Sequence, residues 1–283
     1  MLNFKTNMLK SRWAPVDQLD RSSDYGSEGW GFESSRARHK VMKKLFVILV
    51  FLLFPQLSIA ERVDIFKFTK EELSSLKSHS LKKKTDYSVL IDRNGKCVAA
   101  KDTDLLKLES ENAKEGLKIV KDGNVGCLKA EAQGQASGLG KEIKIDLNKT
   151  PFLNITWKVE QGLKGLKENT KKGHDFAARV SVIKETGSLP WQKNVMNYVF
   201  SSNEKTNSHW VGPYRKQIHD YVASSLIDNP EGSWVTVRLN VKRHFKEFFE
   251  KDYDEIDGVA IMTDTDNSKK MAVSYYKEVY FSD

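Results

Sequence analysis

Residues 175–183 read Asp-Phe-Ala-Ala-Arg-Val-Ser-Val-Ile, and this stretch decides the fold class. Its even-numbered positions from Phe176 to Val182 are all apolar, whereas Arg179 and Ser181 lie between them. Successive side chains of a β-strand point to opposite faces of a sheet. The alternation therefore predicts a strand that buries one face and turns Arg179 and Ser181 to the other.

Strand-like segments recur along the chain between short turns. Beyond the first stretch they cover residues 141–147, 152–159, 195–201, 216–224, 234–241, 258–263 and 271–281. One amphipathic helix interrupts them, because Phe245, Phe248 and Phe249 have i, i+3, i+4 spacing among Lys and Glu. Many strands with one or two short helices predict a mainly β fold, a two-layer antiparallel β-sandwich.

A β-hairpin is predicted over residues 87–100, where two apolar runs flank an Asn94-Gly95 turn. A related pattern recurs at residues 119–130. It reflects either a duplicated hairpin or chance, because β-hairpin turns favour the same few residue types. Cys97 and Cys127 occupy equivalent positions in the two patterns. In an oxidising compartment the pair predicts a disulfide. The alternative is two free cysteines that pack as small core residues.

A secretory signal peptide is predicted at residues 42–60. Met42-Lys43-Lys44 is a positive start, residues 45–54 form an apolar core, and Ser58-Ile59-Ala60 is a small-residue cleavage site. The apolar run is too short to cross the ~30 Å hydrocarbon layer comfortably as a helix. We expect cleavage near Ala60-Glu61, a periplasmic or secreted location, and no transmembrane anchor in the mature chain.

Residues 1–41 show neither helical nor strand periodicity. Gly31-Phe32-Glu33-Ser34 is one translation of GGTTCGAATCC, the T-arm of a transfer RNA gene. We therefore interpret residues 1–41 as a mistranslated leader that is not part of the fold. A disordered leader is the alternative.

The mature chain is predicted to divide into an accessory segment at 61–86 and a β-sandwich domain at 87–283. Within the accessory segment, Thr69 and Glu72 have the spacing of a capping box for one short helix. A linker rich in Ser and Lys follows this helix and ends before the first predicted strand.

Charge argues against a nucleic-acid partner. Without residues 1–60 the formal net charge falls from +8 to +4, which is mild for a secreted domain. The densest basic cluster, Lys82-Lys83-Lys84, lies in the predicted linker. We found no basic stripe interleaved with aromatic residues of the kind that nucleic-acid binding needs, so a solvated charged surface is the interpretation.

Asp264, Asp266 and Asn267 follow an apolar strand and carry hard oxygen ligands suited to calcium. Calcium is the one cofactor that the sequence suggests. The pattern is not an EF-hand loop, because Lys269 stands where that loop needs glycine. The alternative is a turn in which Asp and Asn side chains bind their own backbone amides.

His174, Asp175 and Arg179 are candidates for chemistry or for structure. A His-Asp pair can orient a general base, and Arg179 can clamp a carboxylate or an acidic sugar. With Asp264 or Asp266 they would make a catalytic set for glycan hydrolysis. The structural alternative pairs Arg179 with a core carboxylate such as Asp264.

Other catalytic patterns find no support. The chain has no Gly-x-Ser-x-Gly elbow, and its histidines at 174, 209, 219 and 244 form no zinc motif. Four aromatic residues near predicted loops can stack on sugar rings: Trp191, Trp210, Tyr214 and Trp234. Among them Trp210 and Tyr214, together with Arg179, are the predicted ligand-binding residues.

Several blocks resemble the bacterial domain-of-unknown-function family 3047 (DUF3047). They are residues 128–131, 136–139, 157–159, 173–180, 197–199 and 258–268. The resemblance covers about residues 115–282 and leaves out the hairpin at 87–100, which would be an insertion. It implies a secreted protein with a jelly-roll sandwich of the galactose-binding-like kind, and it implies no activity. Phe200 and Leu239 depart from the family pattern, which often has Trp and Arg there.

By fold-level analogy, we expect a non-catalytic module that binds a glycan or an envelope polysaccharide. One alternative is a glycan hydrolase that uses carboxylates at the rim of the sandwich. The other is a structural envelope protein that binds another protein.

Overall fold

A computed structural model describes residues 60–93, 96–99, 126–189 and 191–283 of the chain. The predicted leader and nearly all of the predicted signal peptide lie outside these residues, and so does the first half of the repeated pattern at 119–130. The elements of the described part are β1 (Arg62–Phe66), α1 (Lys70–Ser75), β2 (Lys77–Ser80), β3 (Asp86–Arg93), β4 (Lys96–Ala99), β5 (Gly126–Gln133), β6 (Ala136–Asp146), β7 (Phe152–Gln161), β8 (Phe176–Glu185), β9 (Lys193–Ser201), β10 (His209–Val211), β11 (Ile218–Ser225), β12 (Val235–Asn240), α2 (Val241–Phe249), β13 (Glu255–Asp264) and β14 (Met271–Ser282).

The strands form two sheets. The first has the order β12-β7-β14-β5-β3-β4, with β1 also paired to β14, and the second has the order β10-β11-β9-β8-β13-β6-β2. Successive strands from β5 to β8 alternate between the sheets, which places β5-β14-β7-β12 opposite β6-β13-β8-β9. This is the order of an eight-stranded jelly roll. The structure thus confirms the mainly β sandwich with two short helices.

One strand pair departs from the antiparallel prediction. β11 runs parallel to β9, with Ile218 opposite Val195, so the second sheet is mixed. Parallel neighbours need a long connection. Residues 202–217 provide it, and they carry the short strand β10 back along the far edge of β11.

A single bulge turns one predicted core residue outward. In the β8–β13 pairing, Met262 is opposite Arg179 but Asp264 is opposite Phe176, so β8 has one extra residue at this point. An extra residue reverses the alternation of side chains. Ala178, Val180 and Val182 face the core as predicted. Phe176 instead packs with Val199, Val222 and Trp210 on the opposite face.

The core lies between the two sheets and includes the fully buried Trp157. Its indole N–H donates to Ser224 Oγ at 2.9 Å, which connects β7 of the first sheet to β11 of the second. Phe200 and Tyr276 lie beside the Trp157 ring, with centroids at 5.6 and 6.5 Å. Phe200 and Leu239, the two departures from the family pattern, are therefore core residues here.

The segment at 61–86 contributes more than a helix and a linker. Helix α1 begins as predicted, with Thr69 Oγ1 accepting the Glu72 N–H at 3.2 Å. The Glu72 carboxylate reaches back to the amides of Lys67 and Phe68 rather than to Thr69. However, β1 and β2 join the two sheets on either side of the helix. Neither described helix is long and apolar enough to cross a membrane.

Cys97 of β4 and Cys127 of β5 form a disulfide, with their Cα atoms 5.9 Å apart. The structure thereby decides between the two alternatives left open by the sequence. The bridge closes a loop over a separation of 30 residues, and it ties the edge hairpin β3–β4 to β5.

Replacing both cysteines by serine is expected to lower the free energy of unfolding by about 3–4 kcal/mol, because the unfolded chain loses a crosslink. Denaturant unfolding of the native and the Cys97→Ser/Cys127→Ser proteins measures this difference. A reducing agent should destabilise only the native protein. Two titratable thiols in denatured, unreduced protein would contradict the bridge.

Candidate functional site on the outer face of the second sheet

The outer face of the second sheet, which points away from the core, carries a polar row. Ser181 of β8 lies opposite Asn197 of β9, Asn197 opposite Asp220 of β11, and Asp220 opposite Trp210 of β10. Residues opposite each other on neighbouring strands share a face. The row therefore crosses four strands at one level.

Hydrogen bonds connect the polar row into a chain. Ser181 Oγ donates to Asn197 Oδ1 at 2.6 Å, and Asn197 Nδ2 donates to Asp220 Oδ1 at 2.8 Å. The other Asp220 oxygen lies 2.8 Å from His174 Nε2. Burial works to raise the pKa of Asp220, but His174, Arg179 and Asn197 stabilise the carboxylate and hold this pKa below its ordinary value. Asp220 is therefore an ionised, fully buried group.

Arg179 and Asp264 form a buried ion pair beside this row. Arg179 Nη2 lies 2.6 Å from Asp264 Oδ2, and the other carboxylate oxygen accepts the Phe176 N–H at 2.7 Å. The guanidinium also lies over the Phe176 ring, 5.0 Å from its centroid. Burial raises the pKa of Asp264, and the Arg179 charge and the Phe176 amide act against this rise. The structure thus agrees with the structural alternative for Arg179.

Two buried donors of this face have no partner. Among the residues that the structure describes, Arg179 Nε and Trp210 Nε1 are the buried side-chain nitrogen and oxygen atoms without a hydrogen bond. Both belong to the outer face, because Trp210 and the ring beneath Arg179 share the cluster around Phe176. A buried donor without an acceptor costs about 1–3 kcal/mol. An acceptor supplied by a ligand would remove that cost.

Tyr214 stands at the rim of the same region and is 51% exposed. Its hydroxyl is 2.8 Å from the Lys171 carbonyl and 3.2 Å from Asn267 Oδ1. Its ring contacts His174 edge-on, with centroids 5.6 Å apart. Tyr214 therefore gives the polar row an exposed aromatic edge.

Two of the three residues proposed for calcium, Asp264 and Asn267, already make contacts within the fold. The Asp264 oxygens are used by Arg179 and by a backbone amide. Asn267 donates its amide N–H and Nδ2 to Asp175 Oδ1, at 3.1 and 3.0 Å. Asp175 also accepts the Ser268 N–H, so it caps the turn that contains Asp266. This geometry favours the turn, and the described part of the chain holds no cluster of three His, Cys, Asp or Glu suited to a metal.

The structure brings together most of the predicted site residues. His174, Arg179, Asp264, Trp210 and Tyr214 all lie on or beside the outer face. Trp191, which is 60% exposed, and Trp234, which contacts Tyr275 on the first sheet, lie elsewhere. Asp220, Asn197 and Ser181 were missed. Two signals were available: Asp220 lies inside the predicted strand 216–224, and Asn197 lies in one of the blocks that resemble the family.

Behind the polar row, three histidines gather between β10, β11 and α2. His219 stacks on Phe248 with centroids 4.2 Å apart, and its Nε2 lies 3.2 Å from His209 Nδ1. His244 Nδ1 lies 3.0 Å from the Tyr198 hydroxyl. Burial lowers the pKa of His219 and of His244 to about 4. His209 precedes Trp210 in β10, so this cluster supports the strand that carries the candidate ligand residue.

The fold and the site together define a jelly-roll β-sandwich protein with a largely buried polar row on the outer face of one sheet. The family described as "Protein of unknown function (DUF3047)" matches residues 75–280, and the chain belongs to this family. The predicted membership is therefore confirmed. The match begins earlier than predicted and includes the hairpin at 87–100, which is part of the family domain rather than outside it.

Two solved structures are distantly similar to this chain. A Family 11 carbohydrate-binding module of the cellulosomal cellulase Lic26A-Cel5E of Clostridium thermocellum is 10% identical, covering 78% of this chain and 93% of that chain with a TM-score of 0.35. TmCBM61, in complex with β-1,4-galactotriose, is 10% identical, covering 79% and 95% with a TM-score of 0.27. These likenesses are too distant to carry an argument about the site. No curated protein matches the chain significantly.

Replacing Arg179 by Met is expected to lower the free energy of unfolding by about 3–5 kcal/mol, because Asp264 would remain charged and unpaired in the interior. The double variant Arg179→Met/Asp264→Asn should recover part of this loss, since Asn keeps an acceptor for the Phe176 amide. Chemical denaturation of the four proteins gives the coupling energy. If the two changes alter the free energy of unfolding additively, Arg179 and Asp264 do not stabilise each other in the fold, and the prediction is wrong.

Acid is expected to destabilise the fold through the histidine cluster. The unfolded chain takes up a proton near pH 6.5, but His244 in the fold does so only near pH 4. Between these values the free energy of unfolding therefore falls as the pH falls, by about 2 kcal/mol for His244 from pH 7.5 to 5. His244→Asn, which keeps an acceptor for Tyr198, should flatten the pH profile of unfolding. The exposed His79→Asn change is the control and should leave it unaltered.

Proposed function

We propose that this protein is a non-catalytic glycan-binding β-sandwich that acts outside the cytoplasm. The ligand would bind at the outer face of the second sheet, beside Trp210, Tyr214 and Arg179. The observation that carries the proposal is the pair of unpartnered donors, Arg179 Nε and Trp210 Nε1, on one face of one sheet. The disulfide supports the location, because such bridges persist in oxidising compartments.

Sugar chemistry suits these groups. Each hydroxyl of a sugar offers lone pairs to N–H donors, and the apolar faces of sugar rings pack on aromatic side chains. Trp210 provides both a donor and a ring, and Tyr214 provides an exposed ring nearby. Ligand sites commonly combine such apolar surfaces with a few fixed polar groups.

Hydrolysis has weaker support from the same geometry. A glycosidase needs one carboxylic acid to donate a proton and one free carboxylate to act as base or nucleophile. Asp220 is held by His174 and Asn197, and Asp264 is held by Arg179. Because both carboxylates already form hydrogen bonds or an ion pair within the fold, we propose binding without catalysis.

Replacing Trp210 by Phe should weaken glycan binding about five- to tenfold, because the ring remains but one donor is lost. A glycan array with and without calcium identifies the ligand, and isothermal titration then compares the variants. Trp191→Phe is the matched control, since Trp191 is exposed in the connection between β8 and β9 and is not part of the polar row. Calcium is expected to change neither binding nor melting temperature.

Two results would contradict the proposal. One is a folded protein that binds no glycan on the array under either condition. The other is equal weakening by Trp210→Phe and by Trp191→Phe, which would move the binding surface away from the polar row.

A further inference from the structure

Three loops at one end of the sandwich carry an unusual concentration of lysine. Segment 81–84 contains three lysines, segment 163–173 contains four, and segment 265–270 contains two. All nine side chains are exposed. The same segments contain only two acidic residues, Glu168 and Asp266. The three segments together therefore carry more net positive charge than residues 61–283 as a whole, whose net charge is +4. The rest of the mature chain is consequently net negative.

Hydrogen bonds hold these loops side by side. Gln135 Nε2 donates to the Lys84 carbonyl at 2.7 Å, and Thr265 N–H donates to the Gln135 carbonyl at 2.8 Å. Lys270 Nζ donates to the Lys164 carbonyl, which joins the second and third segments. Tyr214 contacts both Lys171 and Asn267 through its hydroxyl. The three loops therefore form one surface, here called the lysine end, and Tyr214 connects it to the polar row.

The loop at 163–173 is anchored to the fold. Glu168 is buried and accepts the Ser202 N–H at 3.0 Å and Asn203 Nδ2 at 2.7 Å. Gly173 allows a close approach, because a Cβ atom there would lie 2.4 Å from the Lys167 carbonyl oxygen. Fixed loops lose little conformational entropy when a ligand binds.

Among the residues that the structure describes, most lysines of the lysine end have no ion-pair partner. Lys164 pairs with Glu231 at 3.3 Å, and Lys269 Nζ donates to the Asp266 carbonyl. Lys82 lies so near Lys269 that it lowers the pKa of Lys269, which reflects repulsion between like charges. The carboxylates beneath, Asp220 and Asp264, are already paired with His174 and Arg179. An anionic ligand would relieve this repulsion.

We infer that the lysine end binds an acidic polysaccharide, whose sugar rings reach Tyr214 and Trp210 while its carboxylates or sulfates lie among the lysines. This inference rests on the proposed function and names its ligand class. A chain of regularly spaced negative charges matches exposed lysines spread over three loops better than one small anion does. The polar donors beside Tyr214 suit sugar hydroxyls, which favours a glycan over a nucleic acid.

The test compares polygalacturonate with its fully methyl-esterified form, because the two probes share a backbone and differ in charge. The protein should bind the acid form at least about tenfold more tightly, and this preference should shrink as salt is raised. The variant Lys82→Gln/Lys171→Gln/Lys172→Gln should lose about tenfold in affinity for the acid form. The control Lys67→Gln/Lys149→Gln/Lys251→Gln removes the same charge elsewhere and should lose less than about twofold.

Each contrary result has a distinct meaning. Equal binding of both probes, or equal losses in the two triple variants, would overturn the inference and leave neutral glycan binding intact. Tighter binding of single-stranded DNA than of polygalacturonate would overturn the choice of a glycan. Loss in the lysine variant without loss in Trp210→Phe would support an acidic ligand at the lysine end but overturn the proposed function at the polar row.

Discussion

The extra residue of β8 opposite β13 is the constraint on which the outer face depends. Without it, Phe176 would continue the apolar alternation and point into the core with Ala178. The bulge turns Phe176 outward, where it supports the Arg179 guanidinium and packs with Trp210. It also places the Phe176 amide against Asp264, which holds the carboxylate for Arg179. One irregularity in register thus creates both the ion pair and the apolar floor beside it.

Among the described residues, three buried aspartates lie on or beside the outer face of the second sheet. Asp175, Asp220 and Asp264 each satisfy their oxygens with amides, His174, Asn197 or Arg179. Burying ionised groups is costly unless they are paired and hydrogen-bonded. The lysines that surround this region remain in solvent, where charge costs little. Negative charge is therefore fixed inside and positive charge is displayed outside, at the same end of the sandwich.

The strand pattern could be predicted well where burial is one-sided. Segments such as 152–159 and 271–281 became β7 and β14 with small changes at their ends. The strands β2 and β10 were missed because edge strands of three or four residues are too short to show an apolar alternation. The first half of β6 was missed because Ser137, Gly138 and Gly140 have low strand propensity. Packing between neighbouring strands overrides that propensity in the fold.

The sequence by itself determined the fold class, the family and the pairing candidates Cys97 and Cys127, because these follow from local periodicity, motif and composition. From residue type and position in the pattern, it also identified four candidate site residues, Arg179, Asp264, Trp210 and Tyr214. Only the tertiary structure decided which of them meet, because the polar row joins residues on four strands and depends on register. The lysine end shows the same limit: Lys82-Lys83-Lys84 looked like a solvated linker until folding brought residues 163–173 and 265–270 beside it. Long-range proximity is set by strand order, which no local pattern encodes.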